Sequence, residues 1–115
     1  MEQRFPRRWD KKTCIDFLQR KIIINAILYY ELDSSRLSDK QYDELSRQLV
    51  RLQSEYPNLQ DTQYGYIMYD FDGTTGFDLY SRLNEHDRDY LYNIASRLAK
   101  GKKPIKVTKK KGSLF

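Results

Sequence analysis

Cysteine and histidine each occur once in 115 residues, so Cys14 can form no internal disulfide and, with His86, supplies no Cys/His set for a structural zinc. A reducing cytoplasm is the setting this composition fits. Long apolar runs are also missing. The longest, "IIINAILYY" at residues 22–30, is interrupted by Asn25 and is far shorter than the ~20 residues of a membrane span. No apolar core follows the first basic residues, so neither a signal peptide nor a membrane partner is expected.

What is present is a folding composition. Hydrophobic residues make up 39% of the chain and ten residues are tyrosine, giving a core rich in rings whose polar tips can also face a partner. The length suits one domain with a modest core. The formal charge of +5 is segregated. Residues 1–12 carry five bases against two acids, residues 13–99 nine against fourteen, and residues 100–115 seven lysines against none. The ends are basic and the body is acidic. Arg4, Arg7 and Arg8 at one end, and Lys102, Lys103, Lys106, Lys109, Lys110 and Lys111 at the other, are candidate contacts to nucleic acid or to an acidic protein surface. A solvated terminus that only aids solubility is the competing reading of the tail, and both stay open.

Helical periodicity dominates the first half. Ile15, Leu18, Ile22, Ala26 and Tyr29 recur at steps of three and four, which predicts a long helix over about residues 10–32. Ser38 followed three residues later by Gln41 reads as a capping box, so a second helix should start near Asp39, carry Tyr42, Leu45, Leu49, Leu52 and Tyr56, and close at Pro57. The short connection favours an antiparallel hairpin. Residues 64–71 are aromatic and weakly alternating, which suggests a strand or an extended segment laid over the hairpin. A third helix is expected from the Asn84 cap to Gly101, with Tyr90, Leu91, Ile94 and Leu98 facing the core. "PIKVT" at residues 104–108 is a short second strand candidate.

The stretch "YIMYDFDGTTGFD" at residues 66–78 resembles the first motif of haloacid-dehalogenase-like phosphatases, D-x-D-G-T, with Asp70 as nucleophile and Asp72 as acid/base. That chemistry needs a parallel α/β sheet and further motifs, whereas the upstream chain reads as a helical hairpin. Turn chemistry is the better account of these acids. A calcium loop of EF-hand type would need glycine sixth from Asp70, and Gly73 stands fourth. His86 lies between acids, but neighbours in sequence on a helix point in different directions and no motif sets a nucleophile beside it. Neither a catalytic residue nor a metal ligand is assigned. The rings Tyr64, Tyr66, Tyr69, Phe71 and Phe77 are left to cover the hairpin or to meet a partner.

The segment from residue 27 to residue 59 carries the most specific pattern. It has Tyr29, then Tyr30, then Ser38-Asp39-x-x-Tyr42-Asp43-x-Leu45, and later Leu52-x-x-x-x-Pro57-x-Leu59. This resembles the N-terminal Ia domain of bacterial NAD-dependent DNA ligases. The resemblance implies a helical module that closes over the nicotinamide mononucleotide half of NAD, with Tyr29, Tyr30, Asp39, Tyr42 and Asp43 as nucleotide-binding residues. The chemistry is consistent: tyrosine rings can stack on a cationic pyridinium, and carboxylates accept hydrogen bonds from ribose hydroxyls. Tyr30 stands where those ligases commonly carry histidine. Beyond Leu59 the pattern ends, and no adenylation domain with its lysine is expected among the remaining residues.

The expected fold class is mainly α, at the margin α+β: a two-helix hairpin and a third helix, with a short two-stranded β element as an option. Residues 1–101 are expected to form one domain and residues 102–115 a basic tail. The sequence supports two functional readings, the first preferred and the second its alternative. The first is a non-enzymatic binding protein, encoded by a phage or mobile element and directed at a nucleic-acid-processing or defence enzyme, including an anti-CRISPR-like inhibitor. The second is binding of NAD or nicotinamide mononucleotide through the ligase-like motif.

Overall fold

In a computed structural model of the chain, residues 3–34, 36–59, 61–73 and 76–101 are described, with side chains as far as residue 99. Among the described residues there are five helices, in order α1 (Lys11–Tyr30), α2 (Asp39–Glu55), α3 (Gly65–Met68), α4 (Leu79–Arg82) and α5 (Glu85–Gly101). No strand occurs among the described residues, so the fold is mainly α. The chain groups into two compact units, Met1–Ile22 with Asp39–Thr75, and Ile23–Ser38 with Gly76–Phe115. The first half of α1 thus belongs to one unit and its last residues to the other.

In the first unit, α1 starts where Asp10 caps it, its carboxylate accepting from the Thr13 amide at 2.8 Å. The Thr13 side chain, together with that amide, holds the Asp10 carboxyl below the usual carboxylate range. Cys14, Ile15, Leu18 and Ile22 of α1 are buried, as are Leu45, Leu49 and Leu52 of α2 and Tyr64, Ile67 and Met68 around α3. Each such aliphatic side chain contributes about 1.5–3 kcal/mol when fully buried. Lys11 lies over the Tyr56 ring and Gln19 bonds Gln53, so contacts ascending α1 descend α2 and the two segments run antiparallel, as the hairpin expectation required.

A polar seam crosses that apolar core. The Gln19 amide donates to Gln53 Oε1 at 2.7 Å, Gln53 donates to the Met68 carbonyl at 3.0 Å, and the Thr62 hydroxyl donates to Gln19 Oε1 at 2.6 Å. The seam ties α1, α2 and the end of α3 together. The N-terminal arm is clamped in a similar way. The Gln3 backbone amide donates to Gln48 Oε1 and the Gln3 carbonyl accepts from Gln48 Nε2, at 2.9 and 3.0 Å, as a neighbouring strand would. Phe5, Trp9 and Phe17 stack with centroids 5.7–5.9 Å apart.

The aromatic run is where expectation and structure part. Residues 64–71 do not form a strand; Gly65–Met68 is a single helical turn. Tyr64, Ile67 and Met68 are buried while Tyr66 and Tyr69 are exposed, a spacing of three and four rather than two. Of the five rings expected to cover the hairpin or meet a partner, Tyr64 is the fully buried one. The second strand candidate, residues 104–108, lies outside the described residues.

In the second unit, Ile23, Ala26, Ile27 and Leu28 of α1, Leu79 and Leu83 around α4, and Leu91 and Ala95 of α5 are buried. The end of α1 is closed by Leu32 and Ser34 amides donating back to the Ile27 and Leu28 carbonyls, with Asp33 at φ 50°, a left-handed conformation that aspartate tolerates. α5 starts as expected, Asn84 Oδ1 accepting from the Asp87 amide at 2.7 Å. Its inward face is set by Asp87, Leu91 and Ala95. Tyr90 and Leu98, expected inside, are exposed, while Leu91 is buried as expected; the buried stripe runs Asp87, Leu91, Ala95 at steps of four. Arg88 fixes that corner by donating to the Leu83 carbonyl at 2.8 Å while lying over the Tyr80 ring. Burial of Tyr80, with Glu31 nearby, pushes its hydroxyl pKa up.

Candidate functional site

The nucleotide-binding candidates fall into two sets, one in each unit. In the first unit, Asp39 opens α2, and Tyr42 and Asp43 lie one turn on. Asp39 and Asp43 are exposed and Tyr42 is half-buried. A spacing of four residues places both carboxylates on one helix face with Tyr42 beside them. Two exposed acceptors and a fixed ring are a donor-reading arrangement. They can take hydrogen bonds from vicinal hydroxyls of a ribose without a metal to balance them.

In the second unit, Tyr29 and Tyr30 end α1, and both are half-buried. Their rings meet edge to face, centroids 4.8 Å apart at 89°. Phe77 packs in turn on Tyr30, 5.6 Å away at 82°. The three rings form a small aromatic cluster of the kind that accepts a planar cation. Phe77 was foreseen only as a ring to cover the hairpin or meet a partner. The signal that it belongs with Tyr30 is not in its local sequence, since 46 residues lie between them in the chain.

Asp70 and Asp72 are exposed and come after the helical turn of α3, so the strand that a phosphatase nucleophile would terminate is not there. Gly73 adopts φ 85°, which makes it the turn residue of this stretch. His86 is exposed, with Nδ1 3.4 Å from the Asp87 carboxylate; the two neighbours do meet, at the long end of a hydrogen bond. Among the described residues no group of three or more His, Cys, Asp or Glu could hold a metal ion. No helix among them is long and apolar enough to cross a membrane.

Of the basic candidates, Arg4, Arg7 and Arg8 are exposed on the clamped arm, Arg7 and Arg8 within a turn closed by Trp9 N donating to the Pro6 carbonyl at 3.1 Å. Lys102, Lys103, Lys106, Lys109, Lys110 and Lys111 lie outside the described residues.

Residues 10–63 match the family model described as DNA ligase-like, N-terminal NAD+-binding domain. The chain is 41% identical over 51 residues to a DNA ligase of Thermoanaerobacter sp. (strain X514), covering 44% of this chain and 8% of the relative. It is 43% identical over 54 residues to a DNA ligase of Syntrophobacter fumaroxidans, covering 47% and 8%. Against a DNA ligase of Nitratidesulfovibrio vulgaris (Hildenborough) it is 53% identical over 34 residues, covering 30% and 4%. The chain thus spans less than a tenth of the length of these curated relatives. No solved structure matches it.

Proposed function

We propose, from the premise that the chain is ligase-Ia-like over residues 10–63, that it binds NAD through the nicotinamide mononucleotide half and is itself a binding module rather than a catalyst. The observation that supports this most is the coincidence of chemistry and match. Tyr29, Tyr30, Asp39, Tyr42 and Asp43 all fall inside the matched residues, and each stands where a ligand could reach it: two exposed carboxylates on one face of α2 and half-buried rings at the end of α1. The residues present fit the group. Within the first unit Asp39 and Asp43 can accept from ribose hydroxyls with Tyr42 beside them, and within the second Tyr29 and Tyr30 can offer ring surface to a pyridinium. No step of bond making is assigned to these side chains. Isothermal titration calorimetry with NAD and with nicotinamide mononucleotide tests the reading. Saturable heat that Tyr42→Ala and Asp43→Ala abolish supports it, and absence of heat with both ligands retires it.

A second reading, a binding protein acting on a macromolecular partner, is favoured by exposed Tyr66 and Tyr69 and by the cations Arg4, Arg7 and Arg8 held on a clamped arm. Clamping lowers the ordering entropy that phosphate or carboxylate contacts would otherwise cost. Replacement of the three arginines by alanine should weaken binding to duplex DNA and flatten its salt dependence. A chain ending at Gly101 separates the contribution of the lysine tail. Unchanged affinity in both variants sinks this reading. The phage-borne inhibitor expectation has no structural feature of its own and stands only as one form of this second reading.

A further inference from the structure

Phe77 lies fourteen residues beyond the ligase-like match, in the turn that leads into α4. Buried Leu79 anchors that turn. The ring is set edge to face on Tyr30 at 5.6 Å, and Tyr30 is set edge to face on Tyr29 at 4.8 Å. Within this cluster Phe77 is 58% exposed. Unlike the two tyrosines it has no hydroxyl for water to solvate, so the side chain it exposes is apolar. A lone exposed phenylalanine would carry no meaning. This one is held by contact with a residue of the candidate site and turns ring surface outward from the same cluster.

A cationic ring is drawn to these ring quadrupoles more strongly than a neutral one of the same shape.

We propose that Phe77 is a binding residue for the pyridine nucleotide, a third ring beside Tyr29 and Tyr30, and that it favours the oxidised pyridinium over the reduced, uncharged dihydropyridine. This rests on the reading of the chain as a nucleotide-binding module. It adds a residue from outside the matched segment and a redox preference.

The test is calorimetry on the full chain with oxidised and with reduced nicotinamide mononucleotide, using the wild type, Phe77→Ala, Phe77→Leu and Phe77→Tyr, with far-UV circular dichroism to establish folding. Phe77→Ala should weaken binding of the oxidised form about three- to tenfold. Phe77→Leu keeps apolar bulk without a π face, so it should narrow the preference for the oxidised form, whereas Phe77→Tyr should retain it. Wild-type binding that Phe77→Ala and Phe77→Leu leave unchanged overturns the inference and leaves the nucleotide reading standing. Equal losses for the two ligand forms in Phe77→Leu overturn the redox preference. A wild type that binds neither form overturns both the inference and the reading beneath it. Should the alanine variant misfold, the leucine and tyrosine variants decide.

Discussion

Replacing Gln53 by leucine should cost this protein more than its modest change of shape suggests. Gln53 is 7% exposed and sits between two partners, accepting from Gln19 at 2.7 Å and donating to the Met68 carbonyl at 3.0 Å. Gln19 and Met68 are fully buried. Leucine removes both bonds and strands the Gln19 amide donor where water does not reach, while the Met68 carbonyl keeps the Phe71 amide at 3.0 Å. A buried polar group left without a partner costs about 1–3 kcal/mol and the lost bond to Met68 adds about 0.5–1.5 kcal/mol, so the expected loss is about 1.5–4.5 kcal/mol. Against a domain stability of about 5–15 kcal/mol this is a large fraction. Urea unfolding followed by circular dichroism should show the midpoint falling with little change in slope. The double variant Gln19→Leu with Gln53→Leu should lose less than the two single losses together, because the stranded Gln19 donor is gone. A loss below about 0.5 kcal/mol for Gln53→Leu would refute the assignment of the seam as the tie between α1, α2 and α3.

The other expectations concern local geometry. Gly73→Ala should destabilise by about 1 kcal/mol or more, since φ 85° disfavours any side chain and the new Cβ would stand 3.3 Å from Val50 Cγ2; an unchanged urea midpoint would contradict the turn assignment. Asp10 has its pKa depressed in the fold by Thr13, so its capping contribution is present above the unfolded-state pKa and is lost as pH falls through the lower folded value. Asp10→Ala should therefore lower the melting temperature at neutral pH and flatten the acid limb of the stability profile. Burial raises the Cys14 thiol pKa, so iodoacetamide should modify the folded protein slowly at pH 8 and the urea-unfolded protein quickly; comparable rates would contradict its burial.

The long helices were legible because their apolar positions recur over four or five turns. Ile15, Leu18, Ile22 and Ala26 fell inside as spaced, and Asn84 marked the start of α5. The aromatic run was misread because eight residues hold too few periods to separate alternation from a single helical turn. Tyr64, Ile67 and Met68 obey the helical spacing only once burial shows which of the neighbouring rings face out. α4 was missed for the same reason, four residues whose signal is just Leu79 and Leu83. The carboxylates and tyrosines of the candidate site were legible from an ungapped local motif. Phe77 and the Gln19–Gln53–Thr62 seam were not, since each depends on segments that meet only in the folded chain.

The most direct test of the central claim is a calorimetric titration of the full chain with nicotinamide mononucleotide. The account predicts a saturable one-to-one isotherm that Asp43→Ala and Tyr42→Ala each remove while circular dichroism stays unchanged. Absence of heat in the wild type, or an isotherm indifferent to both substitutions, would contradict it.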